Sequence, residues 1–333
     1  MAGLYPLKFE PILKERVWGG SALQSKYGKE SSSDKIIGES WEISGLQGDL
    51  SVVSNGYLAG NNLEEIAEVY MGDLMGEAIY NKFGREFPLL IKLIDASDRL
   101  SFQVHPGDEI ARERHSAYGK TEMWYVLEAD SKSFIHAGFI DTSSEDELDA
   151  AIENGNPAKL LNHIHPSAGD VLYIPSGRVH TLGGGIVIVE IQQTSDITYR
   201  IYDWKRTGLD GKPREIHRDL AKDVIDYNKS IDHYQRPVPV DNQAIELIAC
   251  QYFTTRLIKL NSDIERDYSK YDSFIIYICT YGKAEIEYNS EKTDIRKGET
   301  VLIPASIENL RLTSDKAGIL EVYIDKDFIN KNI

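Results

Sequence analysis

The 333-residue sequence predicts a mainly β protein, with antiparallel strands closed into two barrels or sandwiches and a small helical insertion. Three observations carry this. Short stretches rich in β-branched and aromatic residues follow one another between residues 87 and 204, separated by frequent turns. The helices that a parallel, doubly wound sheet needs between its strands are missing. A strand-and-turn pattern also occurs twice, "GDVLYIPSGRVHTL" at 169–182 and "GETVLIPASIENL" at 298–310, each with a turn glycine, an acid, an apolar strand and Ile-Pro.

Taken in order, the first sixty residues read as short extended pieces such as "RVWGG", "GESWEIS" and "DLSVVSNG". Residues 61–84 place Leu63, Ile66, Ala67, Tyr70 and Leu74 at near-helical spacing, which predicts one or two helices with Asn61 or Asn62 as N-cap and Gly84 as stop. Strands follow in "FPLLIKLIDA", "LSFQVHP", "EMWYVLEA" and "KSFIHAGF". A second helical segment is expected near 143–164, where a serine cap precedes acids that suit the positive end of a helix dipole. "DVLYIPSG", "IVIVEIQQ" and "ITYRIYDW" complete the first set of strands. The polar, proline-containing stretch 233–243 marks a boundary, so residues 1–235 are expected to form one barrel and residues 236–333 a second.

Composition narrows the function. A formal charge of -16 argues against a nucleic-acid footprint or attraction to anionic membranes. An anionic substrate would need a few lysines and arginines gathered locally against that field. Cys250 and Cys279 lie in apolar strand-like stretches without a CxxC spacing, so free thiols and a reducing cytoplasm are expected. The amino terminus has no basic flank before an apolar core, and the apolar runs are too short to span a bilayer.

One strand stands out for chemistry. In "LSFQVHPGDE", Ser101, Gln103 and His105 share one face while Phe102 and Val104 share the other, and Pro106 ends the ladder. Glu122 heads "EMWYVLEA", and His180 follows "YIPSGRV". Two imidazoles, a carboxylate and a weaker amide oxygen suit Zn²⁺, with Fe, Mn, Co or Ni as further choices, and leave a position open for water or substrate. Structural histidines are the competing reading, and His163 with His165 in "NHIHP" is a rival pair, there read as solvent-facing or capping. Five residues beyond the matched prolines Pro175 and Pro304 stand His180 and Asn309, so a metal site is expected in the first barrel alone.

"LIKLIDASDRLSFQVHPGD", "YGKTEMWYVLEA" and "IPSGRVHTLGGGIVIVEIQQTSDITYRIYDW", with the early "VWGG" and "GESWEIS", together resemble type I mannose-6-phosphate isomerases of the cupin superfamily, in their short bacterial form. The resemblance covers most of the chain and is strongest over 87–204. It implies two cupin-like jelly-roll barrels, the second without metal. It also implies one Zn²⁺ per chain on Gln103, His105, Glu122 and His180, and an aldose–ketose isomerisation between mannose 6-phosphate and fructose 6-phosphate.

Arg200 would then lie in the active site, and Lys92 and Lys120 would match positions for substrate binding or proton transfer. Longer members carry a histidine directly before the lysine matching Lys120; this chain has Gly119, so no mechanism can use that histidine as base. Ser101, Lys92 and Glu190 are expected to contact substrate, and Lys120 and Arg200 to act in catalysis. Lys120, a metal-bound hydroxide and Glu190 remain candidates for the base. The expected partner is a small sugar phosphate, with no nucleic acid or membrane; the oligomeric state is open. A metal-dependent cupin dioxygenase and a non-enzymatic sugar-binding cupin are the alternatives, as are surface or ion-pair roles for the three cations, Arg200 with Asp196 or Asp203 among them.

Overall fold

Strands that present an apolar face to one layer and a mixed face to another organise this chain. The computed structural model describes residues 3–30, 35–230 and 234–330. By contact, the chain divides into two compact units, one of Met1–Ile12, Trp41–Ile91 and Pro237–Ile333, the other of Leu13–Ser40 and Lys92–Arg236. Packing therefore does not follow a single cut at 235/236, because the early helical segment groups with the C-terminal strands. That segment holds two helices, Leu63–Met75 and Glu77–Phe83. Asn62 caps the first in a reciprocal capping box with Glu65, and Gly84 ends the second. The Asp272 carboxylate accepts from the backbone N–H groups of Glu77 and Ala78 at 2.6 and 2.9 Å, satisfying two donors at the start of the second helix.

Twelve strands precede the C-terminal region among the described residues: β1 (Ile12–Gly20), β2 (Ile37–Ile43), β3 (Leu89–Ala96), β4 (Phe102–Val104), β5 (Glu122–Ala129), β6 (Ile135–Phe139), β7 (Leu161–Ile164), β8 (Val171–Ile174), β9 (His180–Leu182), β10 (Ile186–Gln193), β11 (Tyr199–Tyr202) and β12 (Tyr234–Gln235). They form one sheet in the order β1-β2-β3-β10-β5-β8-β12 and another in the order β11-β4-β9-β6-β7. This is the mainly β, jelly-roll arrangement of two sheets around one core. Ile94, Trp124, Val126, Leu172, Ile174, Ile186 and Ile188 of the larger sheet pack with Ile135, Ala137 and Leu182 of the smaller. On the outer face of the smaller sheet, Phe102, Val104, Tyr199 and Ile201 bury against Leu148 and Ile152 of a helix, Glu145–Glu153.

That helix corrects the expected segment near 143–164. It stops at Glu153, Gly155 adopts a φ of 71°, and Pro157 opens a short 3-10 turn to Leu160. Leu161–Ile164 then becomes β7, paired with β6. A further helix, Asp108–His115, follows the turn after His105 where the sequence suggested only a turn.

The C-terminal strands are β13 (Ala244–Ala249), β14 (Thr254–Leu260), β15 (Ile264–Asp267), β16 (Ile275–Tyr288), β17 (Glu291–Arg296), β18 (Thr300–Ile303), β19 (Asn309–Thr313) and β20 (Ala317–Tyr323). The 14-residue β16 pairs with β17, β18, β19 and β20, and so curls its sheet around a core of Ile258, Tyr277, Ile286, Ile295, Ile303 and Leu312.

Candidate metal centre

Register brings the sequence-selected residues together. On β4 Gln103 lies opposite His180 of β9 and opposite Arg200 of β11. On β5 Glu122 lies opposite Gln192 of β10, and Trp124 opposite Glu190. Alternation then turns Glu122, Trp124 and Val126 the same way, and likewise Ile186, Ile188 and Glu190, so a polar tier lies above the apolar core. Donor atoms of His105, Glu122 and His180 lie within 4.8 Å of one another, and all three residues are at most 1% exposed. His180 Nε2 is 3.4 Å from Glu122 Oε1, and His105 Nε2 is 3.7 Å from Glu122 Oε2. The Gln103 amide is 3.1 Å from His180 Nε2, and a half-turn of that amide presents its oxygen to the same point.

The donor set fits a divalent cation. His105 Nδ1 is 2.9 Å from the Ile197 carbonyl and His180 Nδ1 is 2.9 Å from the Arg178 carbonyl. A carbonyl only accepts, so each Nδ1 carries the hydrogen and each Nε2 offers a lone pair inward. Burial, reinforced for both by the Lys120 charge, holds the imidazoles in the neutral form that binds metal: His105 well below its ordinary value and His180 at about 4. Glu122 Oε1 is buried without a hydrogen-bond partner, which costs several kcal/mol by order of magnitude unless a cation or proton meets it.

Two lysines balance the carboxylates. Lys120 donates to Glu122 and lies 3.4 Å from His105 Nε2 and 3.6 Å from Glu190. Lys92 is 3.2 Å from Glu190 and 3.7 Å from Asp196. Trp124 Nε1 donates to the other Glu190 oxygen at 2.9 Å. Burial and the neighbouring Glu190 push the Glu122 carboxyl up; burial acts the same way on Glu190, but Lys120 and Lys92 outweigh it and hold that group down. Both lysines are only 3% exposed, so neither is a surface lysine.

A cleft of about 700 Å³ opens beside this cluster, lined by Lys92, Ser101, Gln103, Lys120, Glu190 and Arg200 among others. The three strongest metal donors do not line it; Gln103 and Lys120, which touch them, do. Arg200 does not take either carboxylate suggested as a structural partner. Asp203 is instead engaged by Arg206 at 2.7 Å and Arg214 at 3.3 Å, while Arg200 donates to the Glu215 carbonyl at 2.8 Å and leaves its buried Nε unpartnered.

Sequence reading missed Arg16, Lys212 and Arg214, which also line the cleft. Arg16 stands just before "VWGG" on β1 and pairs with Glu39 at 2.8 Å. Lys212 and Arg214 are delivered by a tight turn in which Gly208 N–H donates to the Lys212 carbonyl and Thr207 bridges Pro213. Burial and then the Arg200 charge push the Arg214 guanidinium down to about 10, against the opposing pull of Asp203.

Comparison with known proteins gives the chain's relatives. Residues 6–131 match the family described as phosphomannose isomerase type I, catalytic domain, and residues 243–324 match the mannose-6-phosphate isomerase cupin domain. The chain is 33% identical to a mannose-6-phosphate isomerase of Streptococcus mutans, covering 93% of this chain and 96% of that protein. It is 34% identical to one of Bacillus subtilis, covering 92% and 95%. The crystal structure of a mannose 6-phosphate isomerase from Bacillus subtilis superposes with a TM-score of 0.85 at 29% identity, over 96% of this chain and all of that one.

Proposed function

The chain belongs to the type I phosphomannose isomerase family, and from that premise we propose that it interconverts mannose 6-phosphate and fructose 6-phosphate as a zinc-dependent aldose–ketose isomerase, with one zinc in this centre. The convergence of three buried donors with an orphaned Glu122 oxygen, beside a cation-lined cleft, carries this reading. His105, Glu122 and His180 would hold the ion, with Gln103 as a weaker donor. When bound, zinc supplies Lewis-acid stabilisation of negative charge at the C1 and C2 oxygens.

The chain's own groups do the rest. Proton transfer between C1 and C2 falls to Lys120, which lines the cleft and, once it has passed its ammonium proton to the neighbouring Glu190 carboxylate, takes the proton from one carbon as a neutral amine and returns it to the other. The Arg200 guanidinium, which lines the cleft, meets charge developing on the substrate oxygens. Ser101 and Lys92 contact sugar hydroxyls, while Glu190 orients both lysines. Arg214, Lys212 and Arg16 form the cationic rim that receives the phosphate.

Comparing mannose 6-phosphate with unphosphorylated mannose, by coupled detection of the ketose, tests this assignment. Each charge-assisted contact to phosphate contributes roughly 1.5–3 kcal/mol. A preference for the phosphate ester of at least about a hundredfold in kcat/KM is therefore expected. Equal turnover of the two sugars would remove the phosphate role of the arginines, and no turnover of either would remove the isomerase.

A further inference from the structure

Three histidines that the isomerase reading leaves unused meet on the opposite face of the smaller sheet. His136 of β6 lies directly across from His163 of β7, and His165 follows His163 at the two-residue spacing that returns a side chain to the same face of an extended strand. β6 also pairs with β9, with Ala137 opposite His180. Ala137 packs into the barrel core, so its neighbour His136 points away from the centre containing His105, Glu122 and His180. The two clusters share a sheet and face opposite sides of it.

We propose that His136, His163 and His165 form a second site for a divalent first-row metal ion that prefers imidazole, such as Zn²⁺, Ni²⁺ or Cu²⁺. His136 Nε2 and His163 Nδ1 stand 3.3 Å apart. Two nitrogens bound to one tetrahedral zinc at 2.0–2.1 Å are separated by about 3.3–3.4 Å, so this pair already has the required span. His136 is 9% exposed and its Nδ1 is buried without a hydrogen bond. Its ring is held between Phe102, stacked at 6.2 Å, and Phe134 at 5.1 Å, and Phe134 also stacks on His163 at 5.8 Å.

The His163 and His165 rings lie 4.5 Å apart, and both residues are exposed. Among the described residues, only His105, Glu122 and His180 bring three donor atoms within 4.8 Å of one another. At the second site two nitrogens are set and the third ring, that of His165, must turn, which an exposed side chain just beyond the end of β7 does at little cost. A simple imidazole–imidazole hydrogen bond has the same 3.3 Å separation, but it does not use the third histidine. Three imidazoles with a remaining position open to water form a donor set that suits zinc, copper or nickel.

The test counts ions. Full-length chain is stripped with chelator, dialysed against Zn²⁺ alone and analysed for bound metal and mannose 6-phosphate turnover, alongside a His163→Ala/His165→Ala double variant and a His105→Ala variant. Wild type is expected to bind two ions per chain. The double variant should bind one with turnover unchanged, and His105→Ala should bind one with turnover lost. Wild type and double variant binding the same number of ions, whether one or two, overturns the second site. Loss of turnover without loss of metal in His105→Ala counts against the primary centre instead, so the two failures are distinguishable.

Discussion

Two ring nitrogens decide the chemistry of the buried cluster: Nε2 of His105 and Nε2 of His180, each aimed inward because its partner Nδ1 faces a carbonyl. Replacing either residue by alanine should remove bound metal and turnover together, as measured by metal analysis and the coupled assay on one preparation. An active, metal-free variant would remove these histidines from the mechanism. The cations separate by position. Arg200→Ala should retain metal but lower kcat roughly ten- to hundredfold, the size of one charge-assisted contact made as charge develops. Arg214→Ala should act mainly on KM for the phosphorylated sugar, because its partner is already charged in the ground state. A matched fall in kcat for both variants would merge the two roles.

The elements carried their message unevenly. β4 was legible because polar and apolar residues alternate without exception from Ser101 to His105, and a period of two leaves one consistent assignment of faces. β10 was legible for a different reason, as a short β-branched apolar run, and Glu190 does stand in line with Ile186 and Ile188. The helix Asp108–His115 was not, because its sequence "DEIARERH" buries only Ala111 and so has almost no apolar stripe to read. β7 was hidden by "AKLLNHI", whose apolar spacing continues a helical pattern past the Gly155 and Pro157 that break it. Arg214 and Lys212 were invisible for another reason: a turn brings them to the cleft, and turns carry no periodicity. Where capping chemistry was readable, it has a measurable consequence. Asn62→Ala should cost about 1 kcal/mol in urea unfolding, through loss of the capping box with Glu65, and leave turnover unchanged.

At the scale of the whole molecule, the repeated strand pattern has kept its framework and changed its interior. Glu190 lies opposite Trp124 on β10 and β5, and Glu321 lies opposite Tyr277 on β20 and β16. Around Glu321 there are no inward histidines; Arg266 approaches at 2.6 Å, Tyr268 donates at 2.5 Å, and Asn309 is exposed. Arg266 lies opposite Leu310 on β19, while Asn309, the counterpart of His180, lies opposite Asp267. A guanidinium therefore stands against the buried carboxylate of the C-terminal strands and supplies its counter-charge. Glu321→Ala should destabilise the C-terminal unit by about 3–5 kcal/mol, because Arg266 is left without its buried partner. A melting temperature within a degree of wild type would show that this pair contributes nothing to stability.

Turnover of mannose 6-phosphate by one purified sample before chelation, after chelation and after return of Zn²⁺, with bound metal analysed at each stage, tests the central claim most directly. Activity should fall with the metal and return with it in wild type, and the His105→Ala protein should stay inactive throughout. Undiminished turnover by a chain shown to be metal-free would contradict the metal centre built from His105, Glu122 and His180.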